Sequence, residues 1–470
     1  MSDALKTTQD NKTVNTKPRV LLIAEAANPE WVSVPLEGWS HSTAISRITE
    51  AHIATQLRNR DAFVRAGLTE GVDFTAIDSQ RVAKPLGELA YKLNGGKGKG
   101  WTTIMAFNAL SYYYFERQLW KTFGADLKAG KFDLVHRITP LSPTVPSLLA
   151  KKLAKINVPF VAGPLNGGLP WPKGFDGARR KEKEWLSYVR NAYKMLPGYR
   201  SMRKHASAMI IGSRATYEQM ESAYYDRCVY IPENAIDPAR FNTRINRQPN
   251  KPLRLAFVGR LVPYKGADML LHAAAPLIRA GKVIVDLVGD GPMRNELTAL
   301  AKELKISEGV IMDGWVEHTK LQDRLLLSDV FAFPSIREFG GAVVLEAMAI
   351  GLVPVIMDYG GPGELVSPET GYAIPIGHRE QIIARVGKAL EELTADPANI
   401  QQMGVKARQR VFNHFTWDAK AAMTLEVYRW VLGQRDDKPD FGMPLPDGIE
   451  AQTYLTHTTS SSNEKSVTTV

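Results

Sequence analysis

The sequence predicts an α/β protein of two domains, each with a parallel sheet that carries helices on both faces. The chain has 470 residues, which exceeds the usual size of one domain. Short β-branched runs alternate with amphipathic stretches from Arg19 onward. The same alternation starts again after a polar, proline-bearing stretch at 241–252. Two such domains would leave a cleft between the carboxyl ends of their strands, where ligands of open sheets bind.

In the first half of the chain, apolar runs are predicted to be buried strands, and the amphipathic stretches at 43–58, 102–120 and 143–154 to be helices between them. The strand candidates are VLLIAE, FTAID, FDLVH, PFVAG, AMIIG and CVYIPEN. In the second half they are LRLAFVG, VIVDLVG, GVIMDG, VFAFPS, LVPVIM and GYAIP.

These patterns divide the chain into segments. A disordered N-terminus is expected at 1–17, the first domain at 18–240, a linker at 241–252, the second domain at 253–413, a C-terminal helix crossing back to the first domain at 414–433, and a disordered tail at 434–470.

Composition narrows the class of protein. Hydrophobic residues make up 44% of the chain and charged residues 23%, as in ordinary globular proteins. The single cysteine, Cys228, excludes an intrachain disulfide or a cysteine metal site. The N-terminus has no apolar signal region, and no segment is long and apolar enough to span a bilayer. We therefore expect a cytoplasmic protein.

The net charge of +10 is concentrated in one segment, 177–205, which holds nine Lys or Arg against two Glu with aromatic residues between them. One interpretation is a surface that contacts anionic lipid headgroups at the inner face of the cell membrane, or another polyanion. The alternative is a solvated helix face. Nucleic acid is not expected as a partner, because no base-reading motif accompanies the charge.

The second domain opens with FVGRLVPYKGADMLL (257–271), a predicted strand, loop and helix. Gly259 would allow a sharp turn, and Arg260 and Lys265 would lie in the loop before a helix that starts near Gly266. Two cations beside a helix N-terminus suit a diphosphate. The alternative is a loop whose basic residues are simply exposed.

A second stretch, PSIREFGGAVVLEAMAIG (334–351), places Glu338 in a loop and Glu346 inside the helix that follows Gly340 and Gly341. Backbone amides of a Phe-Gly-Gly step could face phosphates without obstruction by a Cβ. Glu346 interrupts an otherwise apolar helix, and a buried carboxylate is costly unless a polar group satisfies it. Ribose hydroxyls would do so, whereas the alternatives are a solvated charge for Glu338 and a basic neighbour for Glu346.

The motifs GRLVPYKG, VGDGP, DGWV, the two glutamates around FGG, LEAMAIGLVPV and GYAIP resemble, in this order, the donor-binding half of retaining glycosyltransferases of family 4. That family has the GT-B fold, two Rossmann-like domains facing across a cleft, and the resemblance covers 253–390. The family includes members from polysaccharide biosynthesis. The resemblance implies a hexosyltransferase type of enzyme whose substrate is a nucleotide sugar.

The resemblance also implies roles for individual residues. Arg260 and Lys265 would hold the donor diphosphate, Glu338 would contact the sugar hydroxyls, and Glu346 would bind the ribose. The loop DGWVE (313–317) resembles the one that contacts the base. The donor site would therefore comprise Gly38, Gly259, Arg260, Lys265, Trp315, Val316, Glu338, Phe339, Gly340, Gly341 and Glu346.

In the first domain the resemblance is looser. His136, at the end of FDLVH, matches a family histidine near the transferred sugar, and the resemblance adds it to Glu338, Arg260 and Lys265 as the catalytic set. EGWSH (37–41) resembles a glycine-rich loop that approaches the donor phosphates, although Trp39 stands where many members have a second glycine. Gly163 begins a rigid, aromatic loop on the acceptor side.

The function implied is transfer of a sugar, with retention of configuration, to a glycan or lipid-linked saccharide acceptor in cell-surface or exopolysaccharide biosynthesis. No cofactor or metal is expected, since no Asp-x-Asp motif is present and protein cations can stabilise the leaving diphosphate. The leaving phosphate would accept the acceptor's proton. The alternatives are a sugar-nucleotide epimerase or phosphorylase of the same fold and a non-catalytic module that binds sugar nucleotides.

Overall fold

A computed structural model describes residues 17–80, 101–177, 192–245 and 248–446. Within these ranges the first half of the chain forms a parallel sheet of seven strands in the order β3-β2-β1-β4-β5-β6-β7. The strands are β1 Arg19–Ala24, β2 Glu50–Gln56, β3 Phe74–Ile77, β4 Leu134–Thr139, β5 Phe160–Leu165, β6 Ala208–Ile211 and β7 Cys228–Tyr230.

The described part of the second half forms a parallel sheet of six strands in the order β10-β9-β8-β11-β12-β13. These strands are β8 Leu253–Val258, β9 Val283–Val288, β10 Val310–Gly314, β11 Val330–Phe333, β12 Val353–Asp358 and β13 Tyr372–Pro375. Both sheets are apolar and largely buried along their central strands, as parallel sheets covered on both faces are. The predicted architecture of two Rossmann-like domains is confirmed.

Helices connect the strands. In the described part of the first domain they are α1 Val34–Ile48, α2 Arg60–Arg65, α3 Trp101–Lys128, α4 Leu149–Ala154, α5 Tyr199–His205 and α6 Arg214–Tyr217. In the second they are α7 Ala267–Arg279, α8 Arg294–Glu303, α9 Leu321–Leu325, α10 Ala342–Ile350, α11 Pro362–Leu365, α12 Arg379–Ala395 and α13 Pro397–His414, and the chain continues into α14 Trp417–Val431.

Helix α14 packs against α1 of the first domain, as the sequence predicted for the C-terminal helix. Buried polar contacts fix this packing. Tyr428 bonds to His136 at 2.6 Å, and Thr424 lies 3.4 Å from a ring nitrogen of His41. Both partners are buried in the first domain.

Two local predictions are wrong. The stretch 43–58 was expected to be one helix, but α1 ends at Ile48 and Glu50–Gln56 is strand β2, paired with β1 and β3. The sequence of β2, EAHIATQ, did not predict a strand, because it lacks the apolar run typical of a central parallel strand.

The C-terminal tail also differs from expectation. Residues 434–446 are packed, because Phe441 and Leu445 are buried and the guanidinium of Arg410 donates to the Leu445 carbonyl at 2.9 Å. The rest of the predicted tail, 447–470, and the predicted N-terminal segment up to residue 16 lie outside the described residues.

In the part of the chain that the structure describes, none of the helices is both long and apolar enough to cross a membrane. Of the basic segment 177–205, residues 178–191 lie outside the described ranges. In the described portion, Met195 is 88% exposed, whereas Arg203 is buried with its guanidinium 3.6 Å from the centre of the Tyr199 ring. Arg203 therefore does not contribute to the basic surface that the sequence suggested for this segment.

Candidate functional site

The strand order places a crevice at one point in each sheet. In the second sheet the order reverses between β8 and β11, and ligands of open α/β sheets bind beyond the carboxyl ends of the strands at such a point. The loop after β8, residues 259–266, carries Arg260 and Lys265, and we call it the basic loop. The loop after β11, residues 334–341, carries Glu338, and we call it the glycine loop. The two predicted loops are thus neighbours.

The basic loop has the predicted boundaries. Strand β8 ends at Val258, and helix α7 begins at Ala267. Gly266 has φ 76°, and a Cβ there would lie 2.3 Å from the Pro334 carbonyl oxygen, so glycine is required for contact with the glycine loop. The Arg260 side chain is exposed at the crevice.

Lys265 forms an ion pair with Glu338 of the glycine loop. Both side chains are largely buried, at 17% and 20% exposure, and the Lys265 ammonium lies 5.0 Å from the centre of the Phe333 ring. Glu338 is therefore not a solvated loop charge. The sugar-side carboxylate and the diphosphate-side cation of the prediction are in direct contact.

The glycines of the glycine loop are used differently from the prediction. A Cβ on Gly340 would lie 1.6 Å from Asn234 Nδ2, and a Cβ on Gly341 would lie 2.9 Å from Pro362 Cγ. The space that a Cβ would need at Gly340 or Gly341 is therefore already filled by other protein atoms. Gly341 has φ 77° and precedes α10, so its conformation also favours glycine. These glycines therefore allow close packing within the protein, and the approach of phosphates to their amides stays a prediction.

Glu346 lies inside α10, as predicted, and is 9% exposed. Its carboxylate accepts a hydrogen bond from His318 Nε2 at 2.7 Å. Arg240 Nη2 donates to His318 Nδ1 at 2.5 Å, which fixes the tautomer that donates to Glu346. A histidine thus contacts the carboxylate, where the sequence suggested ribose or a basic neighbour.

The segment expected to contact the base adjoins this pair. Trp315 follows β10 and is 70% exposed, while Val316 packs against the core. His318, three positions after Trp315, joins this segment to Glu346. An exposed indole on the segment that contacts Glu346 through His318 is available to stack on a flat ring.

His136 is on strand β4, one of the two strands between which the order of the first sheet reverses. It is fully buried, its Nε2 donates to the Gly163 carbonyl oxygen at 2.7 Å, and its Nδ1 accepts from the Tyr428 hydroxyl at 2.6 Å. Burial lowers the pKa of His136 to about 4, so the ring is neutral. Both ring nitrogens are used to hold strand β5 and helix α14, and the contact expected between His136 and the transferred sugar stays a prediction.

The predicted EGWSH loop is part of helix α1. A Cβ on Gly38 would lie 2.2 Å from the Ala26 carbonyl oxygen, so this glycine allows α1 to pack closely on the segment after β1. Trp39 packs edge-on against Phe63 at 4.7 Å. Both residues have packing roles here, and the approach of Gly38 to the donor phosphates stays a prediction.

The loop that follows Gly163 and β5 reaches the second domain. Trp171 lies 6.2 Å from the Tyr264 ring and 5.1 Å from the Arg337 guanidinium. The Tyr359 hydroxyl donates to the Pro170 carbonyl at 2.8 Å. This loop therefore joins the first domain to both loops of the crevice.

Sequence reasoning missed a polar cluster at the carboxyl ends of β5 to β7, which faces the glycine loop. Asn166 Nδ2 donates to the Phe339 carbonyl at 3.1 Å and to the Glu233 carboxylate. Glu233 is 7% exposed, and burial raises its pKa. A polar residue just after an apolar strand, as in GPLN and YIPEN, was the available signal.

Comparison with known proteins gives a consistent result. Residues 239–410 match the family model described as "Glycosyl transferases group 1". Over 214 residues the chain is 30% identical to a glycogen synthase of Mycobacterium tuberculosis, covering 45% of this chain and 51% of that protein. It is 36% identical over 185 residues to D-inositol 3-phosphate glycosyltransferase of Rhodococcus opacus, covering 37% and 40%. The chain thus spans about half the length of the curated relatives it matches.

Solved structures extend the likeness to both domains. A glycosyltransferase from Rickettsia africae ESF-5 superposes with a TM-score of 0.58 at 16% identity, covering 89% of this chain and 100% of that one. Sucrose-phosphate synthase from Thermosynechococcus elongatus gives a TM-score of 0.56 at 16% identity with the same coverage. The protein therefore has the GT-B fold, and its second domain matches the family of group 1 glycosyl transferases.

Proposed function

We propose that the protein is a retaining glycosyltransferase of family 4 that moves a sugar from a nucleotide diphosphate sugar to a saccharide acceptor. The observation that carries this proposal is the Lys265–Glu338 ion pair, which joins the basic loop and the glycine loop at the reversal point of the second sheet. The sequence match to group 1 glycosyl transferases supports it, because both loops lie within the matched residues.

The leaving diphosphate would bind at the basic loop. Arg260 offers a planar fork and Lys265 a point charge, so together they can offset the charge that develops as the bond to the anomeric carbon breaks. An ammonium has three donors, so Lys265 can keep its bond to Glu338 while it donates to a phosphate oxygen. Glu338 would then accept from hydroxyls of the sugar.

The nucleoside would lie at the other end of the glycine loop. Glu346 has a second carboxylate oxygen beyond the one that accepts from His318, and this oxygen can accept from ribose hydroxyls. The exposed Trp315 indole would stack on the base. The donor would therefore extend from Glu338 to Trp315, across the amino end of α10.

The reaction would exchange one bond at the anomeric carbon. The acceptor oxygen forms a bond to this carbon, the bond to the diphosphate oxygen breaks on the same face, and the leaving phosphate takes the acceptor's proton. Protein cations supply the charge stabilisation in this scheme, and no metal takes part.

A panel of UDP-, GDP- and ADP-sugars tests the donor. Binding of one class should raise the melting temperature by mass action, and incubation with a saccharide acceptor should release the nucleoside diphosphate. Proton NMR of the product then reports the anomeric configuration, for which we expect retention. Formation of an epimer without acceptor would instead support an epimerase, and binding without turnover would support a non-catalytic module.

For the acceptor we propose a glycan or lipid-linked saccharide of cell-surface polysaccharide assembly. The support is the charge of segment 177–205, of which the described Lys194, Arg200 and Lys204 flank or follow the exposed Met195. Cosedimentation with vesicles of zwitterionic lipid, with and without anionic lipid, tests membrane contact. Equal binding to both kinds of vesicle would contradict it.

A further inference from the structure

The polar cluster at the carboxyl ends of β5 to β7 has a fixed orientation. Ser213 Oγ donates to Asn166 Oδ1 at 2.7 Å, and Thr216 Oγ1 donates to the same oxygen at 3.1 Å. Because the amide oxygen accepts both bonds, the amide nitrogen must point the other way. It donates to the Glu233 carboxylate and to the Phe339 carbonyl. The first domain thus holds the backbone of the glycine loop through one amide.

Glu233 also contacts the glycine loop directly. A Cβ added to Gly340 would lie 2.8 Å from Glu233 Oε2, so the carboxylate lies against the glycine itself. The Glu233 backbone N–H donates to the Gly212 carbonyl at 3.1 Å, which ties it to the end of β6. Glu233 therefore has little freedom to move away from Gly340.

Two further buried groups lie behind Glu233. Glu37 of α1 and Lys420 of α14 are 7% and 2% exposed. Burial raises the pKa of Glu37 well above its usual value, and the neighbouring Glu233 raises it further. Burial lowers the pKa of Lys420 to about 8, while both carboxyl groups act to raise it. Glu37, Glu233 and Lys420 therefore form a buried group of interacting charges behind the glycine loop.

We infer that Glu233 is a positioning residue for sugar transfer, holding the glycine loop through Gly340 and Asn166 so that Glu338 is aligned with the transferred sugar. This inference rests on the proposed function, since it assumes that the glycine loop binds the donor. It adds that residues of the first domain hold this loop in place. Glu233 acts through the loop and not by contact with the reacting atoms.

The size of the effect follows from the sensitivity of transfer to alignment. A misplacement of about 1 Å can lower a rate by a hundredfold. Glu233 contacts the loop two positions after Glu338, so a shift there would move the carboxylate that is proposed to contact the sugar. The contacts proposed for the nucleoside, Glu346 and Trp315, lie beyond the amino end of α10 and should be less affected.

Glu233→Gln tests the inference, because the variant keeps the side chain's size and replaces the carboxyl group that accepts from Asn166 with an amide. We expect kcat to fall at least tenfold, with the Kd for the nucleoside diphosphate changed less than twofold. Glu364→Gln is the matched control. Glu364 is also buried, and it also joins the domains. Its carboxylate accepts from the Arg214 backbone N–H at 2.7 Å and from the Tyr230 hydroxyl at 2.6 Å. Among the described contacts of this carboxylate, none is with the glycine loop.

Hydrogen exchange provides a readout that does not depend on activity. Peptides spanning 335–345 should exchange faster in Glu233→Gln than in wild type and the Glu364→Gln control. This measurement remains decisive if wild-type protein turns over no nucleotide sugar, an outcome that would overturn the proposed function alone. Unchanged exchange, or an equal fall in kcat in both variants, would overturn the inference.

A second variant covers the case in which Glu233→Gln does not fold. Asn166→Ala leaves the Glu37, Glu233 and Lys420 groups in place and removes the bond to the Phe339 carbonyl. It should reproduce the faster exchange at 335–345 and the fall in kcat at unchanged nucleoside diphosphate affinity. Wild-type behaviour of Asn166→Ala would contradict the inference.

Discussion

Lys265 and Glu338 form an ion pair between loops whose sequence positions are 73 residues apart. Each residue follows a central strand of the second sheet, and the two strands are neighbours. The pair is largely shielded from water, which strengthens the interaction relative to an exposed pair. It therefore fixes the distance between the cation proposed for the diphosphate and the carboxylate proposed for the sugar.

Replacement of Lys265 by alanine should lower kcat/KM at least tenfold. The variant removes a charge-assisted contact worth about 1.5–3 kcal/mol and leaves Glu338 without this partner. Release of the nucleoside diphosphate from the donor measures the rate. Lys282→Ala is the control, because Lys282 is exposed at the start of β9, away from the crevice. Near-normal turnover in a folded Lys265→Ala variant would remove the diphosphate assignment.

Glu346→Gln should weaken binding of the nucleoside diphosphate about tenfold, because a neutral amide accepts a ribose hydroxyl less strongly than a carboxylate does. The variant keeps the side chain's size, so the buried packing of α10 is retained. Calorimetric titration gives the Kd. An affinity equal to that of wild type would show that the Glu346–His318 pair serves the fold rather than the ligand.

Gly340→Ala should lower kcat at least tenfold and destabilise the protein by about 1–3 kcal/mol, because the new methyl group overlaps Asn234 and Glu233. Gly177→Ala is a matched control, since a Cβ at Gly177 has no heavy atom within 4 Å among the described residues. Urea denaturation and turnover measure the two effects. Identical behaviour of the two variants would contradict the close approach of the domains at Gly340.

The second domain's crevice was predictable because its signals are local. At 257–267 and 330–350 an apolar strand, a glycine-bearing loop and an apolar helix follow one another directly, so the loop residues could be assigned to the carboxyl edge of the sheet. The parallel order of the strands then brings Lys265 to Glu338 without further information.

The first domain's contribution could not be read in this way. Whether His136 faces the crevice depends on Tyr428, 292 positions later, and no local pattern reports that contact. Asn166 and Glu233 follow different strands and meet only when the sheet forms. Their shared partner, the Phe339–Gly340 backbone, belongs to the other domain. Tertiary packing therefore decided which polar residues support the site.

The bond between Tyr428 and His136 leads to a prediction for stability. Tyr428→Phe should destabilise the protein by about 1–3 kcal/mol, since it leaves a buried ring nitrogen of His136 without its donor. Turnover at a temperature well below the melting point should change less than twofold, because both side chains are fully buried and the Phe ring keeps the packing of α14. A tenfold loss of kcat in this variant would support the place of His136 in the catalytic set.

The pH dependence of stability tests the same burial independently. The pKa of His136 is about 4 in the folded protein, compared with 6.5 for an ordinary histidine. Between these pH values the unfolded chain binds a proton at His136 and the folded protein does not. The contribution of His136 to the free energy of unfolding is therefore intact above pH 6.5 and is lost as pH falls toward 4. Between pH 7 and pH 5 the free energy of unfolding should fall by about 2 kcal/mol from this residue alone. The variant His136→Gln has no titrating group at this position. Urea denaturation at both pH values measures the unfolding free energy of wild type and of His136→Gln. The difference between the two proteins should be smaller at pH 5 than at pH 7 by about 2 kcal/mol. A difference that stays constant would mean that His136 is accessible to protons in the folded state.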